Sequence, residues 1–258
     1  MKKLSTLTIV LFFAAGITFA QSNEADISQT GNMNNADIAQ VGNANDGDIT
    51  QDGDENWAKQ TQEGIDNEAG ISQLGSKGIT NQTQLGDNNL ATSAINGRVE
   101  SDQYQIGNDN VATIGNGLTQ KSKIEQTQVG DGNTATFTVD GPGTRFAEIR
   151  QEQIGSGNES YITGFRGDPG SLVFVDQFGG NNYADIMYSS GAQRNAFEVT
   201  QDGWGNVLNA TYANSGDQNM LIVDQLGNGN IANTTQASGG NYATVNQMGD
   251  GNNAMINQ

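Results

Sequence analysis

The sequence has 258 residues, with 29 Asp and Glu against 11 Lys and Arg, a formal charge of −18 at pH 7, and neither Cys nor His. Without Cys there is no disulfide or thiolate chemistry, and without His there is no imidazole base or common transition-metal site. The negative charge argues against electrostatic binding to nucleic acid. Asn (32), Gln (24) and Gly (35) are abundant, whereas only 34% of residues are hydrophobic. Such a composition is typical of a disordered chain or of a polar repeat, and periodicity decides between them.

Residues 1–20 have the pattern of a secretory signal peptide. Two lysines precede an apolar run over residues 7–13, and the small residue Ala20 precedes a cleavage site at Gln21. The run is shorter than the roughly 20 residues that a membrane span requires. We therefore expect a secreted mature chain, residues 21–258, whose charge is −20 because cleavage removes two of the 11 positive residues. Export of a Cys-free chain fits the envelope or surface of a Gram-negative bacterium.

A short motif recurs along the mature chain. The first six copies of Gln-x-Gly are spaced by 11 residues, and later copies by 21 to 25, about twice that interval. Between them lies the pattern Asn-x-Ala-x-Ile-x-Gln, as in residues 34–40. This period of two predicts a short β-strand with Ala, Ile and Gln on one face, and the Gly and Asn after the Gln predict a tight turn.

The irregular spacings predict how many strands form one coil. From the tenth copy of the strand pattern onward, counting degenerate copies, the extra residues fall at alternate turns. They lie between Val139 and Gln153, Gly164 and Gln177, Tyr188 and Gln201, and Tyr212 and Gln225. Insertions at alternate turns all fall on one edge only if each coil has two strands. The predicted fold is therefore all-β, a two-sided β-solenoid with about 22 residues per coil and roughly ten coils.

The register assigns three sets of residues to structural positions. Inward Gln side chains are expected to stack as an amide ladder along the axis, since they share the parity of Ile, although the alternative is that they face water. The ladder Gln are Gln29, Gln40, Gln51, Gln62, Gln73, Gln84, Gln105, Gln128, Gln153, Gln177, Gln201, Gln225, Gln247 and Gln258. The Asn that precede the strands are Asn23, Asn34, Asn45, Asn56, Asn67, Asn89, Asn110, Asn133, Asn158, Asn182, Asn195, Asn206, Asn219, Asn230, Asn241 and Asn252. The turn Gly are Gly31, Gly42, Gly53, Gly64, Gly75, Gly86, Gly107, Gly130, Gly155, Gly179, Gly203, Gly227 and Gly249.

Three outward acidic residues occupy equivalent positions in successive copies. Asp26, Asp37 and Asp48 are expected to slow misassembly as charged gatekeepers, with Asp26 and Asp48 stacked on one sheet. A Ca²⁺ site at the Asp-Gly-Asp segments 46–48 or 52–54 is the alternative interpretation. Because the repeats run from Asn23 to the last residue without a capping pattern, we expect both ends of the solenoid to present open strand edges.

The motif resembles the curlin repeat of curli, the extracellular functional amyloid of bacterial biofilms. It reads Gln29-Thr-Gly31-Asn-Met-Asn34-Asn-Ala36-Asp-Ile-Ala-Gln40, and it recurs over residues 225–236 and 247–258. The resemblance implies a subunit that assembles end to end into fibres supporting biofilm matrix, adhesion and cell aggregation. It also implies export through an outer-membrane pore and growth from a minor nucleator subunit. Compared with the familiar major subunit, we expect this chain to have about twice as many coils and almost no leader segment before them.

Other classes of function find less support. No carboxylate is paired with a base or nucleophile at a recognisable spacing, so the sequence predicts no enzyme, and it predicts no cofactor, nucleic-acid partner or membrane insertion. The alternative is a monomeric surface-binding solenoid, such as an ice-binding or adhesin module. Thr92, Thr113 and Thr136 would stack outward on one sheet, but Tyr161 follows them, so the Thr array is short.

Overall fold

The computed structural model describes residues 22–115, 118–140, 144–145, 147–165, 170–188, 194–212 and 218–258, and the predicted signal peptide lies outside them. These residues form strands and turns; they contain no helix, and so none suited to crossing a membrane. The strands are β1 (Glu24–Thr30), β2 (Asn35–Asn43), β3 (Asp46–Asp52), β4 (Trp57–Ile65), β5 (Glu68–Leu74), β6 (Ile79–Leu85), β7 (Leu90–Asn96), β8 (Arg98–Ile106), β9 (Val111–Ile114), β10 (Leu118–Val129), β11 (Thr134–Asp140), β12 (Thr144–Arg145), β13 (Glu148–Ser156), β14 (Glu159–Phe165), β15 (Leu172–Gly180), β16 (Tyr183–Tyr188), β17 (Ala196–Trp204), β18 (Val207–Tyr212), β19 (Met220–Leu226), β20 (Ile231–Gln236), β21 (Tyr242–Met248) and β22 (Asn253–Asn257).

The chain alternates between two parallel sheets. Sheet A has the order β1-β3-β5-β7-β9-β11-β14-β16-β18-β20-β22, and sheet B has the order β2-β4-β6-β8-β10-β13-β15-β17-β19-β21, with the two-residue β12 pairing beside β10. Each strand thus pairs with the strand one coil away. The all-β, two-sided solenoid with two strands per coil, predicted from the repeat, is confirmed.

Pairing is in register with the sequence motif. Along sheet A, Ile27 lies opposite Ile49 and Gln29 opposite Gln51, and along sheet B Gln40 lies opposite Gln62. A turn of the solenoid averages about 23 residues rather than 22, because insertions lengthen the later coils. The four predicted insertions all lie on the edge where the chain passes from sheet A to sheet B, which confirms the inference of two strands per coil.

The interior changes character along the axis. In the first coils a small core contains Ile49 and Ile71, and buried amides fill much of the remaining space. From β7 onward one continuous apolar core extends through the later coils and includes the fully buried Phe137, Tyr188 and Phe197. The same backbone layer therefore accommodates either stacked amides or large apolar side chains.

Candidate functional site

An unbroken ladder of Gln side chains lines the inner face of sheet B. In each step the Nε2 of one Gln donates to the Oε1 of the Gln one layer further toward the C-terminus, at 2.8 to 3.0 Å. The same Nε2 atoms also donate to backbone carbonyls of the opposite sheet, as Gln62 does to Asp46 at 2.8 Å. The ladder consists of Gln40, Gln62, Gln84, Gln105, Gln128, Gln153, Gln177, Gln201, Gln225 and Gln247.

The equivalent ladder on sheet A is interrupted. Gln29, Gln51 and Gln73 form two rungs of 2.7 Å, but the next layer places Ile95 opposite Gln73. The ladder resumes between Gln236 and Gln258 at 3.0 Å. Gln29 and Gln40 are only half buried and Gln258 is exposed, since no layer of the described chain covers them.

A second ladder on sheet B lies outside the predicted set. Gln60, Gln82, Gln103, Gln126 and Gln151 are linked by rungs of 2.7 to 3.0 Å, and all five are buried. The sequence carried a signal for it, because each of these residues stands two positions before a ladder Gln in the pattern Gln-x-Gln. Each amide of this second ladder bonds to its counterpart in the next layer, whereas a buried amide without a partner would cost about 1–3 kcal/mol.

The predicted Asn form two columns, one at each edge. At the edge leading from sheet B to sheet A the column is continuous, and each Oδ1 accepts from the backbone N–H of the Asn in the next layer at 3.0 to 3.1 Å. Its members are Asn23, Asn45, Asn67, Asn89, Asn110, Asn133, Asn158, Asn182, Asn206, Asn230 and Asn252. On the other edge the described bonds join Asn34 to Asn56, and Asn195 through Asn219 to Asn241.

The predicted turn Gly all have positive φ, between +92° and +135°. These glycines have a left-handed backbone conformation and, except at the terminal Gly249, they also leave little room for a side chain. A Cβ on Gly42 would lie 1.8 Å from the carbonyl oxygen of Gly64 in the next layer. The Nδ2 of Asn45 donates to that same carbonyl at 3.0 Å, so the Asn and Gly positions together fix the distance between layers.

The two end faces of the described solenoid are only half covered. β1 and β22 in sheet A, and β2 and β21 in sheet B, have a hydrogen-bonded neighbour on one side. Ile27 and Ile38 at one end and Ile256 at the other are partly buried, whereas equivalent residues such as Ile49 are 1% exposed. Both faces therefore combine unpaired strand edges with incompletely buried apolar side chains.

Comparison with known families agrees with this geometry. The family model of the curlin associated repeat matches residues 20–46 and 42–75. Residues 20–75 are therefore curlin associated repeats. The curlin repeats cover the strands β1 to β5, and the rungs of sheet B that start there continue through β21. Among curated proteins no match to the chain was found. The curlin repeat is a structural repeat family, and the solenoid that it builds here is a structural fold.

The acidic residues predicted as gatekeepers all lie in the curlin repeats. Asp26 and Asp48 are in register on the outer face of sheet A, whereas Asp37 on sheet B is in register with Lys59. Burial, followed by the charges of Asp46 and Asp26, raises the pKa of Asp48. Within the described residues no group of three or more Asp or Glu is placed to hold a metal ion.

Proposed function

We propose that this protein is a secreted structural subunit that self-assembles end to end into extracellular amyloid fibres of the curli type. Such fibres would support biofilm matrix, adhesion and cell aggregation at the surface of a Gram-negative bacterium. The proposal extends what the curlin repeats of residues 20–75 indicate, a curli-type subunit, to the assembly and its role.

One observation carries the proposal, namely the half-covered end faces. Strand edges with free N–H and C=O groups pair readily with further strands, and a parallel in-register stack of strands is the arrangement of cross-β fibres. Stacking a second copy on either face would bury residues such as Ile38 and Ile256 and extend the Gln rungs across the contact. Growth along the axis would therefore continue the pattern that already holds the monomer together.

The route of export and the start of fibre growth are proposed from the resemblance to curli. Residues 1–20 would direct secretion, an outer-membrane pore would release the chain, and a minor subunit held at the surface would nucleate growth. The charge of the exported chain, −20, would slow association, because copies repel one another until salt or protons weaken the repulsion.

Negative-stain microscopy of the purified protein over time tests the proposal. We expect filaments whose diffraction shows spacings of about 4.8 Å along the axis and about 10 Å across it. We also expect a shorter lag at higher salt, or as the pH falls toward the sequence pI of 4.1. A protein that stays monomeric at high concentration under all these conditions would refute assembly.

The monomeric surface-binding alternative rests on the outward Thr. Thr92, Thr113 and Thr136 are in register, and the Oγ1 atoms of Thr92 and Thr113 lie 3.4 Å apart. The column is bounded by Gly70 on one side and Tyr161 on the other, so it spans three layers. A flat array of this size is small for recognition of an extended surface, and the fibre is the function that the geometry supports best.

A further inference from the structure

The path of the described chain through the solenoid has an odd number of strands, eleven in sheet A and ten in sheet B. We propose that successive copies in the fibre are related by a half-turn about the solenoid axis. In this arrangement β1 of one copy pairs with β21 of the preceding copy, and β2 pairs with β22. The inference rests on the proposed function and specifies the contact between subunits.

The half-turn follows from the stepped shape of the two end faces. Both β1 and β22 belong to sheet A, so sheet A extends half a coil beyond sheet B at each end. An unrotated copy placed with β1 on β22 would leave one strand missing from sheet B, a gap of about 4.8 Å in the ladder. After a half-turn, β1 fills that position above β21, β2 lies above β22, and both sheets are continuous.

The sequence register of the strands fits this contact. Each inward residue meets its counterpart in the motif, because the two sheets are built from the same repeat. The expected partners are Asn23 with Asn241, Ala25 with Ala243, Ile27 with Val245, Gln29 with Gln247, Asn34 with Asn252, Ala36 with Ala254, Ile38 with Ile256 and Gln40 with Gln258. Gly31 likewise meets Gly249. A Cβ built on Gly249 would have only one neighbour within 4 Å, the Asn252 side chain at 3.9 Å, so this position is open for the next layer.

The hydrogen-bond polarity of the rungs makes the contact head-to-tail. Gln rungs donate toward the C-terminal face, and among the described residues the Oε1 atoms of Gln29 and Gln40 accept no hydrogen bond. The Nε2 of Gln247 donates to the backbone of Ile231 and has no ladder acceptor in the described chain. The half-turn places this donor beneath the Oε1 of Gln29 in the next copy.

The Asn columns have the opposite polarity and fit equally well. The backbone N–H and the Nδ2 of Asn45 donate toward the N-terminal face, to the Oδ1 of Asn23. At the C-terminal face the Oδ1 atoms of Asn241 and Asn252 accept no hydrogen bond from the described residues. The stacked copy would supply the missing donors from Asn23 and Asn34.

Charge also favours this contact over a head-to-head one. The outer faces of β1 and β2 carry Glu24, Asp26 and Asp37, whereas those of β21 and β22 carry no charged residue. A head-to-head contact would bring two acidic faces together, and like charges on adjacent strands are destabilising. The head-to-tail contact pairs an acidic face with a neutral one.

Disulfide trapping tests the half-turn, because the chain contains no Cys. We compare two double variants, Asp26→Cys with Thr244→Cys, and Asp26→Cys with Met255→Cys. All three positions face outward, and residues paired on adjacent strands lie about 4.8 Å apart, within the range that a disulfide spans. The two Cys of one molecule lie about ten layers apart, so any disulfide must join different copies. Each single-Cys variant serves as a control for lateral contacts.

After assembly and mild oxidation, the half-turn predicts a series of covalent multimers for the Thr244 pair and at least a tenfold lower yield for the Met255 pair. An equal or higher yield for the Met255 pair, or filaments without cross-links in either, would overturn the inference but leave the fibre intact. The absence of filaments would instead refute the proposed function, and the inference with it. In wild-type fibres the edge that carries the insertions should alternate sides from one copy to the next, so the axial repeat should span two copies. An axial repeat of one copy would also overturn the half-turn.

Discussion

The early and the late coils of this solenoid solve the same packing problem with different side chains. Between β4 and β13 two Gln ladders run side by side on sheet B, and the small apolar core of the first coils holds Ile49 and Ile71. Between β14 and β20 the second ladder is gone, and Tyr188, Phe197 and Tyr212 fill the interior, with Phe197 and Tyr212 in edge-to-face contact at 4.3 Å. The backbone layers and the Asn column at the edge from sheet B to sheet A are common to both regions.

The two regions share one register of strands and differ in the side chains that fill the core. The ladder from Gln40 to Gln247 and the Asn column from Asn23 to Asn252 are present in both regions, so they define the repeat. The remaining inward positions vary, because any set of side chains with the right volume and satisfied polar groups can fill them. Apolar filling supplies hydrophobic free energy in the late coils, whereas amide filling fixes the alignment of the early layers.

Truncating the aromatic cluster should have the largest effect on stability. Phe197 is 1% exposed and contacts the rings of Tyr188 and Tyr212. We expect Phe197→Ala to cost about 3–5 kcal/mol in β16 to β18, measured by amide hydrogen exchange, because it removes a large buried side chain. The outward neighbour Glu198→Ala is the matched control and should cost less than about 0.5 kcal/mol. Equal losses would show that the late interior does not carry the stability.

Removing one rung of the second ladder should have an intermediate effect. Gln82 accepts from Gln60 at 3.0 Å and donates to Gln103 at 2.7 Å. We expect Gln82→Ala to cost about 1–3 kcal/mol in the early coils, because the Oε1 of Gln103 is left buried without that donor. Thr83→Ala, on the outer face of the same strand, provides the control. If local exchange protection is unchanged in Gln82→Ala, the amides are not what aligns the early layers.

Neutralising an outward acid in the early coils should have the smallest effect. Because the pKa of Asp48 is raised in the folded protein, its carboxylate destabilises the fold at neutral pH, and the penalty disappears as the pH falls through that pKa. We expect Asp48→Asn to raise the Tm at pH 7 by up to about 3 °C and to leave it unchanged at pH 3. Asp37→Asn, which is in register with Lys59, should give no such gain. A similar rise in both variants would point to net charge rather than stacked carboxylates.

The sequence predicted the features that every coil shares and missed those that are confined to some of the coils. Period two, the 11-residue spacing and the alternate insertions were sufficient for the two sheets and their register. The second ladder was missed because the predicted set held only the Gln of each Gln-x-Gly and the final Gln258, although Gln-x-Gln recurs from Gln60 onward. The break in the sheet A ladder can be read from the sequence, because Ile95 stands one coil after Gln73 at the motif position of the Gln. β12 pairs beside the main path, within an insertion that has no repeat pattern.

Seeded elongation of fibres tests most directly the central claim that the inward rungs direct growth from the end face. Gln247 and Thr244 lie on the same terminal strand of sheet B, one facing inward and the other outward. With wild-type seeds, Gln247→Ala monomers should add several-fold more slowly than Thr244→Ala monomers, which should elongate like the wild type. Equal elongation rates for the two variants would contradict the account.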